Sequence, residues 1–330
     1  MNKGNVLVTG GAGYVGAHGC KALSQAGYTP VAFDNLVYGH EAAVQWGPFE
    51  RGDIADRARL DAVFAQYKPA AVMHFAAFTA VGESVVDPGK YYRNNVAGTL
   101  SLIEAMAAHG VNRLVFSSTA AAYGLPERVP ITEDEPNRPI NPYGRSKLMV
   151  EQMLVDFAAA YGLKSAIMRY FNAAGASPDG EIGEAHDPET HLIPLALDAA
   201  AGTGPDLTVF GEDYPTPDGT CIRDYIHVGD LADAHVLALD WLGDAETDAA
   251  RVFNLGIGAG VSVREILDAI ARVTGRAVPH RVGPRRPGDP PVLVADAARA
   301  RGELGWEPRL SDIDTIVGTA WAWHQRGSQR

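Results

Sequence analysis

Asn5-Val6-Leu7-Val8-Thr9 is an apolar run of strand length, and a glycine-rich turn, Gly10-Gly11-Ala12-Gly13-Tyr14-Val15-Gly16, follows it at once. The turn fits G-x-x-G-x-x-G through Gly10, Gly13 and Gly16, and G-x-G-x-x-G through Gly11, Gly13 and Gly16. His18, Cys20, Ala22, Leu23 and Ala26 then space as a helix, closed by Gly27. This order confines the chain to few architectures. Glycines let the backbone turn tightly and approach a pyrophosphate, and the free N–H groups of the helix start hold its charge. A second strand, Pro30-Val31-Ala32-Phe33, ends at Asp34, 18 residues after Gly16. A dinucleotide fold places there the carboxylate that hydrogen-bonds the adenosine ribose. A carboxylate repels a 2′-phosphate, so the cofactor expected is NAD rather than NADP.

The alternation of strand and helix continues. Gly52-Asp53-Ile54 precedes an amphipathic helix over about 56–67, and Ala70-Ala71-Val72-Met73-His74-Phe75 reads as a buried strand followed by Ala76-Ala77. A helix over about 88–108, a strand at Arg113-Leu114-Val115-Phe116 ending in Ser117-Ser118-Thr119, a helix over 142–160 and a strand over 165–170 follow. The fold class is α/β: a doubly wound, Rossmann-type parallel sheet, with ligands at the carboxyl ends of its strands. Asp34, Asp53, Phe75 and Thr119 all fall at such ends. Residues 173–191 and 202–222 turn rich in Gly, Pro, Asp and Glu. We expect a cofactor domain over 1–180, with returning segments near 224–257, and a smaller interleaved α/β substrate domain over 181–330.

Within the helix begun by Asn141-Pro142, Tyr143 and Lys147 stand at i and i+4 and share a face. A free tyrosine has a pKa of about 10. An ammonium ~4 Å away contributes ~4 kcal/mol at an effective dielectric of ~20. The expectation is a phenol acidified by Lys147, with an oxidised nicotinamide as the second cation.

Composition limits the alternatives. A net charge of -12 over 330 residues argues against nucleic-acid and anionic-membrane surfaces, and no apolar run is long enough to span a bilayer. Two cysteines, Cys20 and Cys221, without metal or redox spacing suit a reducing cytoplasm. Glu184, His186 and His191 lie in one loop without a recognised ligand spacing, so a solvated loop and no metal is the expectation.

Gly10-x-x-Gly13-x-x-Gly16, Asp53-Ile54, Tyr143-x-x-x-Lys147 and Arg169-Tyr170-Phe171-Asn172 together resemble the extended short-chain dehydrogenase/reductase superfamily. His74-Phe75-Ala76-Ala77, Ala80-Val81-Gly82-Glu83-Ser84, Asn94-Asn95-Val96, Gly211-x-Asp213-Tyr214-Pro215-Thr216, Arg223-Asp224-Tyr225-Ile226-His227-Val228 and Pro284-Arg285-Arg286-x-Gly288-Asp289 narrow the resemblance to its UDP-glucose 4-epimerase family, in order over residues 4–310. That resemblance implies reversible C4 epimerisation of UDP-hexoses by transient oxidation with bound NAD, in a homodimer.

It also implies roles. Tyr143, Lys147 and Thr119 are catalytic. Tyr14 and Val15 face the pyrophosphate, Asp34, Asn35 and Leu36 the adenosine ribose, and Asp53 and Ile54 the adenine. Phe75, Ala76, Ala77 and Asn95 line the rest of the cofactor, and Phe171 flanks the nicotinamide. Asn172, His191, Leu192, Phe210, Arg223, Arg286 and Asp289 hold the nucleotide sugar; the diphosphate needs local cations, and guanidinium groups suit it. The sequence departs from many relatives at Thr79, where they carry lysine, and at Leu293, where a bulky Tyr excludes N-acetylated sugars. UDP-GlcNAc, UDP-xylose and UDP-glucuronate therefore remain alternative substrates. A 4,6-dehydratase would need an acid pair after Thr119, where Ala120 and Ala121 stand. A silent NAD-sensing regulator would be expected to have lost Tyr143 or Lys147.

Overall fold

The computed structural model describes residues 3–243, 250–286 and 288–327. Its strands are β1 (Asn5–Thr9), β2 (Thr29–Asp34), β3 (Phe49–Arg51), β4 (Ala71–His74), β5 (Arg113–Ser117), β6 (Lys164–Tyr170), β7 (Asn172–Ala174), β8 (Leu207–Phe210), β9 (Ile222–His227), β10 (Ala250–Leu255), β11 (Gly260–Ser262), β12 (His280–Gly283) and β13 (Val292–Leu293). The helices are α1 (Tyr14–Gln25), α2 (Arg57–Tyr67), α3 (Val81–Val86), α4 (Pro88–Tyr91), α5 (Thr99–Ala108), α6 (Pro142–Tyr161), α7 (Leu192–Ala201), α8 (Val228–Trp241), α9 (Val263–Thr274), α10 (Ala298–Leu304) and α11 (Ile313–Gly327).

Seven strands form the central sheet in the order β10-β6-β5-β4-β1-β2-β3, and each neighbouring pair is parallel. The doubly wound α/β architecture is therefore present. Winding proceeds outward from β1 to β3 and then resumes from β4 on the other side. That switch point leaves a crevice at the carboxyl ends of β1 and β4, where such sheets take ligands.

Both faces of the sheet are buried, which is why its strands read as continuous apolar runs. Val6 and Val8 of β1 pack with Leu23 of α1 and Leu231 of α8, while Leu7 points the other way, to Leu60 and Phe64 of α2 and Met106 of α5. A second layer stands over the carboxyl ends. Its strand β9 pairs with β11 antiparallel and with β13 and β7 parallel, and β8 pairs with β12. Ile193 of α7, Ile266 and Ile270 of α9 and Ile316 of α11 close a core beneath Val209 and Tyr225.

Two details depart from the sequence reading. Strand β3 and helix α3 had no clear apolar signature, and β3 is anchored by a polar residue: Glu50 accepts from the Tyr67 hydroxyl and pairs with Arg59. The helix expected over 88–108 is interrupted by a π-helical turn, Tyr92–Gly98, which carries Asn95 inward. Such wide turns gather at functional sites. Among the described residues no helix is long and apolar enough to cross a membrane.

Candidate active site

The glycine turn is built from close approaches. Gly10 has a φ of 74°, and a Cβ there would stand 2.6 Å from the Ala76 nitrogen. At Gly11 it would meet the Val8 oxygen at 2.8 Å, and at Gly16 the Gly10 oxygen at 2.0 Å. Both spellings of the motif thus rest on packing. Gly13 differs: it caps α1, its nearest neighbour would be the Gly10 oxygen at 3.4 Å, and no side chain caps the helix. The open helix start fits a pyrophosphate held by backbone N–H groups alone. Val15 packs its side chain on the sheet core, so only its backbone serves the turn. The Tyr14 hydroxyl donates to the Gly175 oxygen at 2.6 Å and ties the turn to the chain beyond β7.

A polar rim continues from β2. Asp34 accepts from Ala12 N at 3.0 Å and Leu36 N at 2.8 Å, with burial pushing its carboxyl up. Leu36 has a φ of 62°, a left-handed turn that exposes the ends of this rim. Asn35 donates to Asp53 at 2.9 Å, and Ile54 is buried against Gly98. After β4, the Phe75 ring turns away to stack on His235, with centroids 4.9 Å apart, so the Phe75 backbone with Ala76 and Ala77 is what borders the crevice. Asn95 was expected to line the cofactor, but its amide is committed to the protein. It accepts from Phe78 N at 2.9 Å and donates to Phe78 O at 3.0 Å and to Ser146 Oγ at 3.2 Å. Thr79 is exposed.

Helix α6 starts where Asn141 Oδ1 accepts from Gly144 N at 2.8 Å, with Pro142 in its first turn. A Cβ on Gly144 would lie 2.5 Å from the Ala121 oxygen, so α6 sits directly on the turn after β5. That contact brings α6 to the turn that carries Thr119, whose hydroxyl accepts from Ala121 N at 3.1 Å and, against the larger effect of burial, draws the Tyr143 phenol down. Lys147 lies one turn further on the same buried face and donates to the Ser117 oxygen at 2.7 Å.

The electrostatics correct the sequence reading. Burial pushes the Tyr143 phenol well above its usual range, Tyr170 adds to the rise, and the Thr119 hydrogen bond offsets part of it. Burial also draws the Lys147 ammonium down to about 7, against the charge of Glu151. An ammonium so disfavoured, and turned to a carbonyl, does not acidify the phenol by itself. Desolvation is the largest influence on the phenol, and Lys147 is not among the groups that shift it.

Sequence reasoning missed the support behind the pair. Arg169 donates from Nε to Glu151 Oε1 at 2.9 Å and from a second nitrogen to Oε2, and Ser118 Oγ donates to the same carboxylate. The Ser117 and Tyr170 hydroxyls meet at 2.7 Å. Glu151 follows Lys147 at i+4, a spacing that could have revealed it.

Across the crevice, two pairs gather four expected residues. Arg223 pairs with Asp289, and the Arg286 guanidinium stacks 4.1 Å from the centre of the Phe210 ring. Asn172 begins β7 beside Tyr225, and Leu192 opens α7. Phe171 and Leu293 each pack against the cluster of Ala120, Tyr123 and Ile131, and Leu293 of β13 is paired with Arg223 of β9.

The loop before α7 is not simply solvated. His186 Nδ1 lies 3.0 Å from Glu184, and His191 Nδ1 lies 2.7 Å from Glu184 and 3.1 Å from Glu189, a residue the sequence did not single out. Burial opposes their charge, yet bonds to Glu184 and Glu189 raise His186 to about 9 and His191 to about 10. The substrate role expected of His191 therefore leaves only its Nε2 uncommitted to this cluster.

The NAD dependent epimerase/dehydratase family matches the chain over residues 6–256. The chain belongs to that family. Within this epimerase/dehydratase family, the chain is 54% identical over 329 residues to a UDP-glucose 4-epimerase of Rhizobium meliloti (strain 1021), covering 100% of this chain and 99% of that one. A crystal structure of UDP-glucose 4-epimerase from Brucella ovis in complex with NAD is 56% identical, with a TM-score of 0.94 over 98% of both chains. A UDP-glucose-4-epimerase from Stenotrophomonas maltophila, with bound NAD and formylated UDP-arabinopyranose, is 43% identical, with a TM-score of 0.95 over 99% of both.

Proposed function

We infer that this chain interconverts UDP-glucose and UDP-galactose by reversible inversion at C4, with NAD as its resident cofactor. The observation that carries the reading is the burial of Tyr143 and Lys147 on one face of α6, with the Lys147 ammonium bonded to the Ser117 oxygen at 2.7 Å at the carboxyl end of β5. The glycine cradle lies two strands away in the same sheet, at the end of β1. Relatives at 54–56% identity that carry the epimerase name support it.

The residues fit NAD: an uncapped helix start at Gly13 for the pyrophosphate and the Asp34 carboxylate at the end of β2 for a ribose lacking 2′-phosphate. NAD supplies the oxidant for the C4 carbon and the reductant that restores it. Tyr143 takes the 4-hydroxyl proton and later returns it, and Thr119 hydrogen-bonds the phenol and aligns it. With its phenol raised by burial, Tyr143 holds its proton until a cation stands beside it. Lys147, buried on the same face, would hold the nicotinamide ribose. Arg223 and Arg286 hold the diphosphate against the net charge of -12. Asn172, Leu192, Phe210 and Asp289 complete the nucleotide subsite, and Phe171 flanks the nicotinamide.

A second reading, tolerance of UDP-GlcNAc, is favoured by the place of Leu293, which packs against the same cluster as Phe171 and pairs with Arg223. There a side chain shorter than Tyr leaves room for an N-acetyl group. We further propose a cofactor domain over 1–180 with returning segments near 224–257, a nucleotide-sugar domain over 181–330, a cytoplasmic location, and a homodimer. Leu100 on α5 and Met149 and Val155 on α6 support the dimer, since they stay 37%, 42% and 56% exposed on neighbouring helices. Incubating the purified protein with UDP-galactose and following UDP-glucose tests the activity. Conversion to an equilibrium mixture is expected, and no conversion by protein that carries NAD overturns it.

A further inference from the structure

The loop between β7 and α7 holds a cluster that C4 inversion does not use. Glu184, His186, Glu189 and His191 each offer one ligand atom, and these atoms lie within 4.8 Å of one another. Both imidazoles point Nδ1, not Nε2, at the carboxylates. Four edges are set by Glu184 to His186 at 3.0 Å, Glu184 to His191 at 2.7 Å, Glu189 Oε1 to His191 at 3.1 Å, and Glu189 Oε2 to His186 at 3.8 Å. A tetrahedral ion with bonds of ~2.0–2.1 Å needs ligand edges of about 3.3 Å. The observed edges straddle that value.

The groups are also held in place from behind. Glu189 Oε1 accepts from Thr190 N at 2.7 Å and His191 N at 2.8 Å and also meets His191 Nδ1, while Oε2 faces His186. Trp323 Nε1 donates to the Glu184 backbone oxygen at 2.8 Å, and the Tyr14 ring stands edge-on to His186, with centroids 6.1 Å apart. Packed outer partners of this kind are what fix the ligands of metal sites. The side chains of Glu184 and Glu189 are 7% and 15% exposed and that of His191 47%, so the cluster is walled on one side and open to solvent on the other.

The geometry points to a binding site for a divalent transition metal of the zinc class, ligated by Glu184, His186, Glu189 and His191. Two imidazoles with two carboxylates suit Zn2+ and its neighbours rather than Mg2+ or Ca2+, which take oxygen ligands. The bound ion staples the loop to the glycine turn through Tyr14 and to the first turn of α7 through His191. It also fixes His191 with its proton on Nε2.

The test uses full-length protein prepared without metal-affinity chromatography and stripped with chelator. Co2+ is titrated by visible absorbance, and Zn2+ by calorimetry and thermal unfolding. One Co2+ per chain with the intense bands of tetrahedral coordination, displaced by one Zn2+ that raises Tm, is expected. His186→Gln and Glu189→Gln should each weaken Zn2+ at least as much as loss of an outer-shell partner does, about 10–100-fold. Absence of stoichiometric binding, a weak octahedral Co2+ spectrum, or unchanged affinity in both variants would overturn the site and leave two carboxylate–imidazolium pairs.

Discussion

Tyr143 sits where burial penalises its anion and Thr119 alone relieves it. A proton carrier so placed is silent until charge develops beside it. Tyr143→Phe should cut turnover by at least about 10²–10⁴, the range of a positioned acid–base group. NAD content, read from the denatured protein's supernatant, should stay at the wild-type level; loss of NAD with turnover would make the phenol structural. The Tyr143–Lys147 pair was legible because i,i+4 spacing is a local property. Its electrostatics were not, because the burial of the phenol and the approach of Tyr170 and Thr119 arise only in the fold. At Leu293, substitution to Tyr should lower kcat/KM for UDP-GlcNAc at least tenfold more than for UDP-galactose, a difference of about 1.4 kcal/mol. Equal losses would remove this side chain from sugar selection.

At the scale of elements, helix α6 presents the catalytic face and its start is fixed by one amide. Asn141→Ala removes the bond to Gly144 N and should cost about 1 kcal/mol in denaturant unfolding. The fall in kcat should exceed any change in KM, since the cap lies two residues from Tyr143 and away from Arg223 and Arg286. Strands β1, β2, β4 and β5 were legible because a sheet buried on both faces needs unbroken apolar runs. Strand β3 rests on Glu50, and the π-helical turn at Tyr92–Gly98 keeps the same composition as a regular helix, so neither carried a periodic signal. The Glu184–His191 cluster escaped for a related reason: its residues converge through an irregular loop, where spacing says little about distance.

For the whole molecule, buried histidines, His18, His74 and His235 foremost, set an acid limit. Burial draws His18 and His235 to about 4 and His74 to about 3, from 6.5. The unfolded chain takes up protons that these sites refuse, so their stability is complete above pH 6.5 and lost as pH falls toward 4. At pH 5 each contributes a loss of about 2 kcal/mol. His235→Leu should therefore lose about that much less than the parent between pH 7 and pH 5 in denaturant unfolding, and an unchanged difference would refute the assignment. In light scattering, the chain should run as a dimer and Leu100→Asp with Met149→Asp as a monomer; an unaltered mass would place the interface elsewhere. The central claim is that C4 is oxidised and reduced within one closed site, and UDP-galactose deuterated at C4 tests it most directly. The account predicts UDP-glucose that retains the deuterium at C4 in ordinary water, with no free NADH, whereas product carrying solvent hydrogen at that carbon would contradict it.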